Sequence, residues 1–124
     1  MRRGGTRLLV VDDDDENRVV LGALLTEMGH HAVEARSGRH ALELIRSDER
    51  FDVIVSDVVM PGMNGMQFAR EAQRLSSARI VFVTGNPQVV EDVIVAGNLA
   101  LLKPYSYEAL EHVIDEAIGE ARGA

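Results

Sequence analysis

FDVIVSD (Phe51 to Asp57) carries Phe51, Val53, Ile54 and Val55 in one short extended run and stops on a carboxylate. Apolar residues on both faces are what a central strand of a parallel sheet requires, because helices cover it from both sides. A second run, LLVV (Leu8 to Val11), ends in the same way on Asp12-Asp13-Asp14-Asp15. A parallel sheet brings the carboxyl ends of its strands to one edge, where open α/β folds bind ligands. Carboxylates converging there repel each other, by on the order of 4 kcal/mol at about 4 Å in a half-screened environment. A hard, oxygen-seeking cation such as Mg²⁺ relieves that repulsion.

Outward from these runs, short apolar stretches alternate with longer amphipathic ones. Arg7 to Val11 reads as a buried strand. Glu16 to Met28 follows as a helix with Val20, Leu21, Leu24, Leu25 and Met28 at apolar spacing and Gly29 as its stop. His31 to Ala35 is a weak strand, and Ser37 caps a helix carrying Ala41, Leu42, Leu44 and Ile45. The strand Phe51 to Ser56 leads into the turn-rich loop Met60 to Gly65 and a helix from about Met66 to Leu75. Ile80 to Val83 is a third strong strand. Asn86-Pro87 opens a helix to about Ala96, with the proline at its first position. Leu99 to Leu102 is a short strand, and Ser106 caps a last helix through about Ile118. Five strands and five helices in strict alternation predict a doubly wound parallel α/β sheet. Right-handed crossovers then place all five strand ends on one edge.

The 124 residues suffice for one domain with a real core, and 46% apolar with 27% charged residues is ordinary for a globule. Absence of cysteine excludes disulfides, thiolate zinc sites and cysteine nucleophiles. No apolar run approaches membrane-spanning length and no signal peptide opens the chain, so a cytoplasmic setting without membrane is expected. The net charge of −7 argues against nonspecific nucleic-acid binding. Twelve of the thirteen basic residues are Arg; the single Lys is Lys103. A compact ammonium on a flexible stem fits where a guanidinium fork does not.

Asp12 and Asp13 follow the first strand, Asp57 the third, Thr84 with Gly85 the fourth, and Lys103 with Pro104 the fifth. Acids for Mg²⁺, one carboxylate as nucleophile, and a hydroxyl and an ammonium for phosphoryl oxygens together suit phosphoryl transfer.

This constellation resembles the receiver domain of bacterial two-component response regulators, in its single-domain, CheY-like form, over nearly the whole chain. The matching stretches are LLVVDDDDENR (Leu8 to Arg18), DVIVSDVVMPGMNG (Asp52 to Gly65), IVFVTGN (Ile80 to Asn86) and LLKPY (Leu101 to Tyr105). The resemblance implies a flavodoxin-like sheet of order 2-1-3-4-5, with residues 1–124 forming one receiver domain and no effector domain. It implies Asp57 as phosphoacceptor, with a histidine kinase or histidine phosphotransfer protein as donor and an unknown downstream protein as partner. Asp13 and Asp57 would ligate Mg²⁺ directly, Asp12 through water and Val59 through its main-chain carbonyl. Thr84 and Lys103 would bind the phosphoryl group, and a cis peptide bond would precede Pro104. The chain would phosphorylate and dephosphorylate itself without being a turnover enzyme.

One family feature is missing: three residues before the lysine, where an aromatic side chain is common, stands Ala100. The activation signal is therefore expected to leave by the Asn86 loop and the helix after it. Two alternatives stand beside this reading. One is a receiver segment of a hybrid histidine kinase. The other is a haloacid-dehalogenase-type Mg²⁺ phosphatase, which also uses a strand-end Asp. That type places a second Asp two residues after the nucleophile, which Asp57-Val58-Val59 lacks and Asp12-Asp13-Asp14 has. Asp14 and Asp15 read as favourable charges at a helix start. Met60, Met63 and Met66 read as gap-fillers. His30, His31, His40 and His112 read as surface or edge residues, and Tyr105 as packing against the last helix.

Overall fold

The computed structural model describes residues 6–47 and 50–123. The elements run β1 (Arg7–Val11), α1 (Asp15–Glu27), β2 (His31–Ala35), α2 (Gly38–Arg46), β3 (Val53–Asp57), α3 (Gly65–Leu75), β4 (Arg79–Thr84), α4 (Pro87–Val95), β5 (Leu99–Leu102) and α5 (Tyr107–Gly123). All strand pairings are parallel, and the sheet order is β2-β1-β3-β4-β5, as expected.

Successive residues of a strand point to opposite faces, and the two faces have separate cores. Leu9, Val11, Ile54, Ile80 and Phe82 meet Leu42 and Ile45 of α2, Phe68 and Ala72 of α3, and Val93 of α4. Leu8, Val10, Val53, Val55, Val81 and Val83 meet Leu21 and Leu25 of α1 with Leu110, Val113 and Ile114 of α5. Burial on both sides explains why the central strands read as unbroken apolar runs.

Local chemistry starts each helix. Asp14 accepts the N–H of Asn17, Ser37 that of His40, Asn86 that of Gln88 and Ser106 that of Ala109. Asn64 forms a capping box with Gln67, each side chain bonded to the other's backbone N–H. That box starts α3 at Gly65, one residue before the expected start.

The bounds of three further elements need correction. β3 begins at Val53 and includes Asp57, and β4 includes Arg79 and Thr84, because polar end residues still pair with the neighbouring strand. α5 passes Ile118 and runs to Gly123, since a glycine with helical neighbours does not end a helix. Val20, one of the apolar positions at helical spacing on α1, is 57% exposed. Leu24 and Met28 are half-buried and pack against the core. Met60 is buried, Met63 and Met66 pack under the loop, and Tyr105 packs with the α5 core, as read from sequence. No helix among the described residues is long and apolar enough to cross a membrane.

Candidate functional site

Asp12 leaves β1 with its N–H bonded to Ala35 O at 3.2 Å, continuing the β1–β2 ladder by one residue. The residue is only 5% exposed, and its carboxylate accepts the N–H of Asp14 at 2.9 Å. Asp13, next in the chain, is exposed. Asp57 ends β3 opposite Val83. Its Oδ1 accepts the Val59 N–H at 3.2 Å, and its Oδ2 accepts Lys103 Nζ at 3.0 Å.

Lys103 follows β5. Its main-chain N–H bonds Thr84 O at 2.8 Å, and the bond to Pro104 is cis. Thr84 ends β4 fully inside the fold; its Oγ1 accepts the N–H of Asn86 at 3.2 Å. The structure thus brings Asp12, Asp13, Asp57 and Lys103 into one cluster, with Thr84 one register step past Val83 on the adjacent strand. Val59, largely exposed, sits on the loop just beyond Asp57.

One carboxylate oxygen each from Asp12, Asp13 and Asp57 lies within 4.8 Å of the others. Three carboxylates here face one ammonium. Burial, then the charge of Asp57, raises the Asp12 carboxyl above the ordinary carboxylate range, against the Asp14 hydrogen bond. Burial opposes the charge on Lys103, but the Asp57 hydrogen bond and the charges of Asp57 and Asp12 outweigh it, so its ammonium is held more firmly than usual. The excess negative charge and the all-oxygen donor set fit a hard divalent cation and offer nothing to a soft one. A crevice of about 580 Å³ opens here, lined by Asp12, Asp57 and Lys103 and by apolar Val20, Leu24 and Tyr105. Val20 is exposed because it borders this crevice.

The sequence model of the response regulator receiver domain family matches residues 8–115. The chain belongs to that family. This receiver domain is 30% identical over 107 residues to the Bacillus subtilis transcriptional regulatory protein YrkP, itself uncharacterized. That match takes in 84% of the chain but only 46% of YrkP, so the chain spans about half of that relative's length. It is 29% identical over 124 residues to a chemotaxis protein CheY homologue of Campylobacter jejuni, covering 94% of the chain and 95% of the relative. Among solved structures, the response regulator protein TrrA of Thermotoga maritima, crystallised with Mg²⁺ and BeF, superposes with a TM-score of 0.81. That likeness is at 26% identity and covers 90% of this chain and 98% of TrrA. Receiver domains work in two-component signalling with histidine kinases and downstream effectors, and generally bind Mg²⁺. With the family shown, the phosphatase alternative falls away. Some relatives are transcriptional regulators, so the acidic balance of this domain says nothing of nucleic acid bound by a longer protein.

None of the four histidines joins the cluster. Two residues near the site escaped the sequence reading. Gly65 was read as a turn glycine, yet a Cβ there would lie 2.3 Å from Asp57 O and 2.7 Å from Val58 Cα. Its N–H also bonds Val58 O at 2.8 Å. Arg18 stood in the first matching stretch without a role; its partners Glu34 and the Asp12 carbonyl are set by the fold.

Proposed function

We propose that this receiver domain takes a phosphoryl group onto Asp57 from a phosphohistidine on a histidine kinase or histidine phosphotransfer protein. The carrying observation is the convergence of Asp12, Asp13 and Asp57 on one ammonium, with Lys103 Nζ 3.0 Å from Asp57 Oδ2. An Asp57 carboxylate oxygen attacks phosphorus, an O–P bond forms, and the P–N bond breaks with its electron pair going to the imidazole nitrogen. In the reverse half-cycle water attacks phosphorus, and the products are the Asp57 carboxylate and inorganic phosphate. Both steps are self-catalysed and consume no pool of substrate by turnover.

Asp13 and Asp57 directly, Asp12 through water and the Val59 carbonyl are the groups that would hold Mg²⁺, which supplies charge neutralisation to the phosphoryl oxygens. Lys103 stays charged beside Asp57 and offsets the same oxygens. Thr84 donates its hydroxyl proton to one of them while its oxygen still accepts the Asn86 N–H. A shift of Thr84 toward the phosphoryl group therefore pulls on the residue that caps α4. Ala100, opposite Phe82 on β5, has no ring to swing, so the signal leaves through Asn86 and α4. Thr84→Ala is expected to weaken binding of the phosphorylated form to its downstream protein; unchanged binding would refute this route.

The partial coverage of YrkP and the likeness to the receiver domain of the hybrid histidine kinase CckA favour a second arrangement, in which the same chemistry serves a segment of a longer protein such as a hybrid kinase. The test of the main reading is incubation with Mg²⁺ and a small acyl phosphate, followed by intact mass. One added phosphoryl group is expected in the unsubstituted protein and in Asp115→Ala, and none in Asp57→Ala. Labelling that survives Asp57→Ala contradicts the proposal.

A further inference from the structure

We infer that Arg18 is a positioning residue that fixes the acidic pair Asp12-Asp13 for its cation. The inference rests on the phosphoacceptor reading above and deepens its metal half. Arg18 lies one turn into α1, with its side chain only 13% exposed. Its guanidinium uses all three nitrogens. Nη1 donates to the main-chain carbonyl of Asp12 at 2.9 Å, Nε to Glu34 Oε1 at 3.2 Å, and Nη2 to Asp15 Oδ1 at 2.6 Å.

The Asp12 carbonyl belongs to the peptide unit that joins Asp12 to Asp13. On its amino side Asp12 is tied to Ala35 O, and its carboxylate is tied to the Asp14 N–H. Arg18 supplies the remaining restraint, on the carbonyl. The Asp13 carboxylate accepts no hydrogen bond among the described residues, so the only restraint on where it can reach is the backbone that carries it. That backbone begins at the peptide plane Arg18 holds. Glu34 on β2 and Asp15 on α1 in turn hold the guanidinium, so the loop inherits the rigidity of two elements. Lysine has no planar fork and cannot reproduce three divergent donations.

A plain ion pair between α1 and β2 would give the same contacts to Glu34 and Asp15 and nothing to the site. The two roles separate in their readouts. Outer partners that orient metal ligands typically change affinity by about 10- to 100-fold when removed. Calorimetric titration of the full chain with Mg²⁺, beside thermal unfolding without metal, compares the unsubstituted protein with Arg18→Ala, Arg18→Lys and Glu34→Ala. Arg18→Ala is expected to weaken Mg²⁺ binding by about tenfold, at the lower end of that range because the Asp14 and Ala35 restraints remain. Arg18→Lys, which can still reach the carbonyl, recovers part of the loss. Glu34→Ala lowers thermal stability and weakens Mg²⁺ binding less than Arg18→Ala does, because Asp15 and the Asp12 carbonyl still hold the guanidinium. Phosphorylation of Arg18→Ala by a small acyl phosphate is slowed at low Mg²⁺ and restored at saturating Mg²⁺.

Equal Mg²⁺ affinity in Arg18→Ala and the unsubstituted protein overturns this inference while leaving the phosphoacceptor reading standing. So does a matching loss of affinity in Glu34→Ala, which would make the ion pair the cause. An unsubstituted protein that binds no Mg²⁺ and takes no phosphoryl group overturns both. Should Arg18→Ala fail to fold, Arg18→Lys decides: affinity equal to that of the unsubstituted protein contradicts the need for the fork, and weaker affinity in a protein of unchanged fold supports it.

Discussion

Replacing Gly65 by alanine adds one methyl group where the chain has no room for it. The new Cβ would stand 2.3 Å from Asp57 O and 2.7 Å from Val58 Cα, whereas real Cβ contacts stay beyond 3.0 Å. Both obstacles are backbone, so the loop or the start of α3 must move by well over half an ångström. Overpacking of this kind costs about 1–3 kcal/mol, and the upper end applies where no side chain can rotate away. Lower entropy of the unfolded chain returns at most about 1 kcal/mol. The net loss is then about 2 kcal/mol, or on the order of 10 °C in Tm for a domain of this size. Gly119→Ala makes the same chemical change on α5, where nothing lies within 4 Å of the added atom. There the helical preference of alanine should stabilise the fold by about 0.5–1 kcal/mol. Thermal unfolding of both variants, followed by phosphorylation with a small acyl phosphate, reads the contrast. Gly65→Ala should unfold early and accept phosphoryl slowly, because the displaced atoms carry the Asp57 carboxylate and lead to Val59. A Gly65→Ala protein as stable and as reactive as the unsubstituted one would refute the close-approach argument.

Asp12→Asn keeps an oxygen for the Asp14 N–H but removes a buried charge that Asp57 and Asp13 oppose. The metal-free protein should melt a few degrees higher, and most of the rise in Tm on adding Mg²⁺ should vanish. A Mg²⁺-dependent rise equal to that of the unsubstituted protein would count against Asp12 as a metal residue. Asn64→Ala removes the half of the capping box in which the Asn64 side chain accepts the Gln67 N–H, and should cost about 1 kcal/mol in chemical denaturation. Burial raises the Tyr105 hydroxyl above the ordinary tyrosine range, so folding favours its neutral form. Stability from this group is full below the ordinary tyrosine value and is lost as pH rises through the raised one. With Tyr105 and Tyr107 the only tyrosines and no tryptophan present, phenolate absorbance of the folded protein against Tyr105→Phe isolates the late titration. A Tyr105 that ionises at the ordinary pH would disprove its burial.

The sheet could be read from the sequence because β1, β3 and β4 are covered on both faces and announce themselves as unbroken apolar runs. Their ends could not, since Asp57 and Thr84 look like loop residues yet pair with the neighbouring strand. Apolar periodicity finds a helix face but does not distinguish a core from a crevice wall, so the spacing of Val20 did not tell that it borders the crevice. The acidic pair, Asp57 and Lys103 came from their positions after strands, a signal local to each strand end. Arg18 and Gly65 act through backbone atoms brought near by the fold, Asp12 O in one case and Asp57 O in the other. No spacing along the chain records such contacts.

The central claim is that the acidic edge converts Asp57 into an acyl phosphate. Phosphorylation in Mg²⁺ followed by borohydride reduction turns an aspartyl phosphate into homoserine, which peptide mass mapping locates. Homoserine is expected at position 57 and at no other aspartate, with none formed when Mg²⁺ is chelated. Homoserine at Asp12 or Asp13, or a phosphorylated protein that yields none, would contradict it.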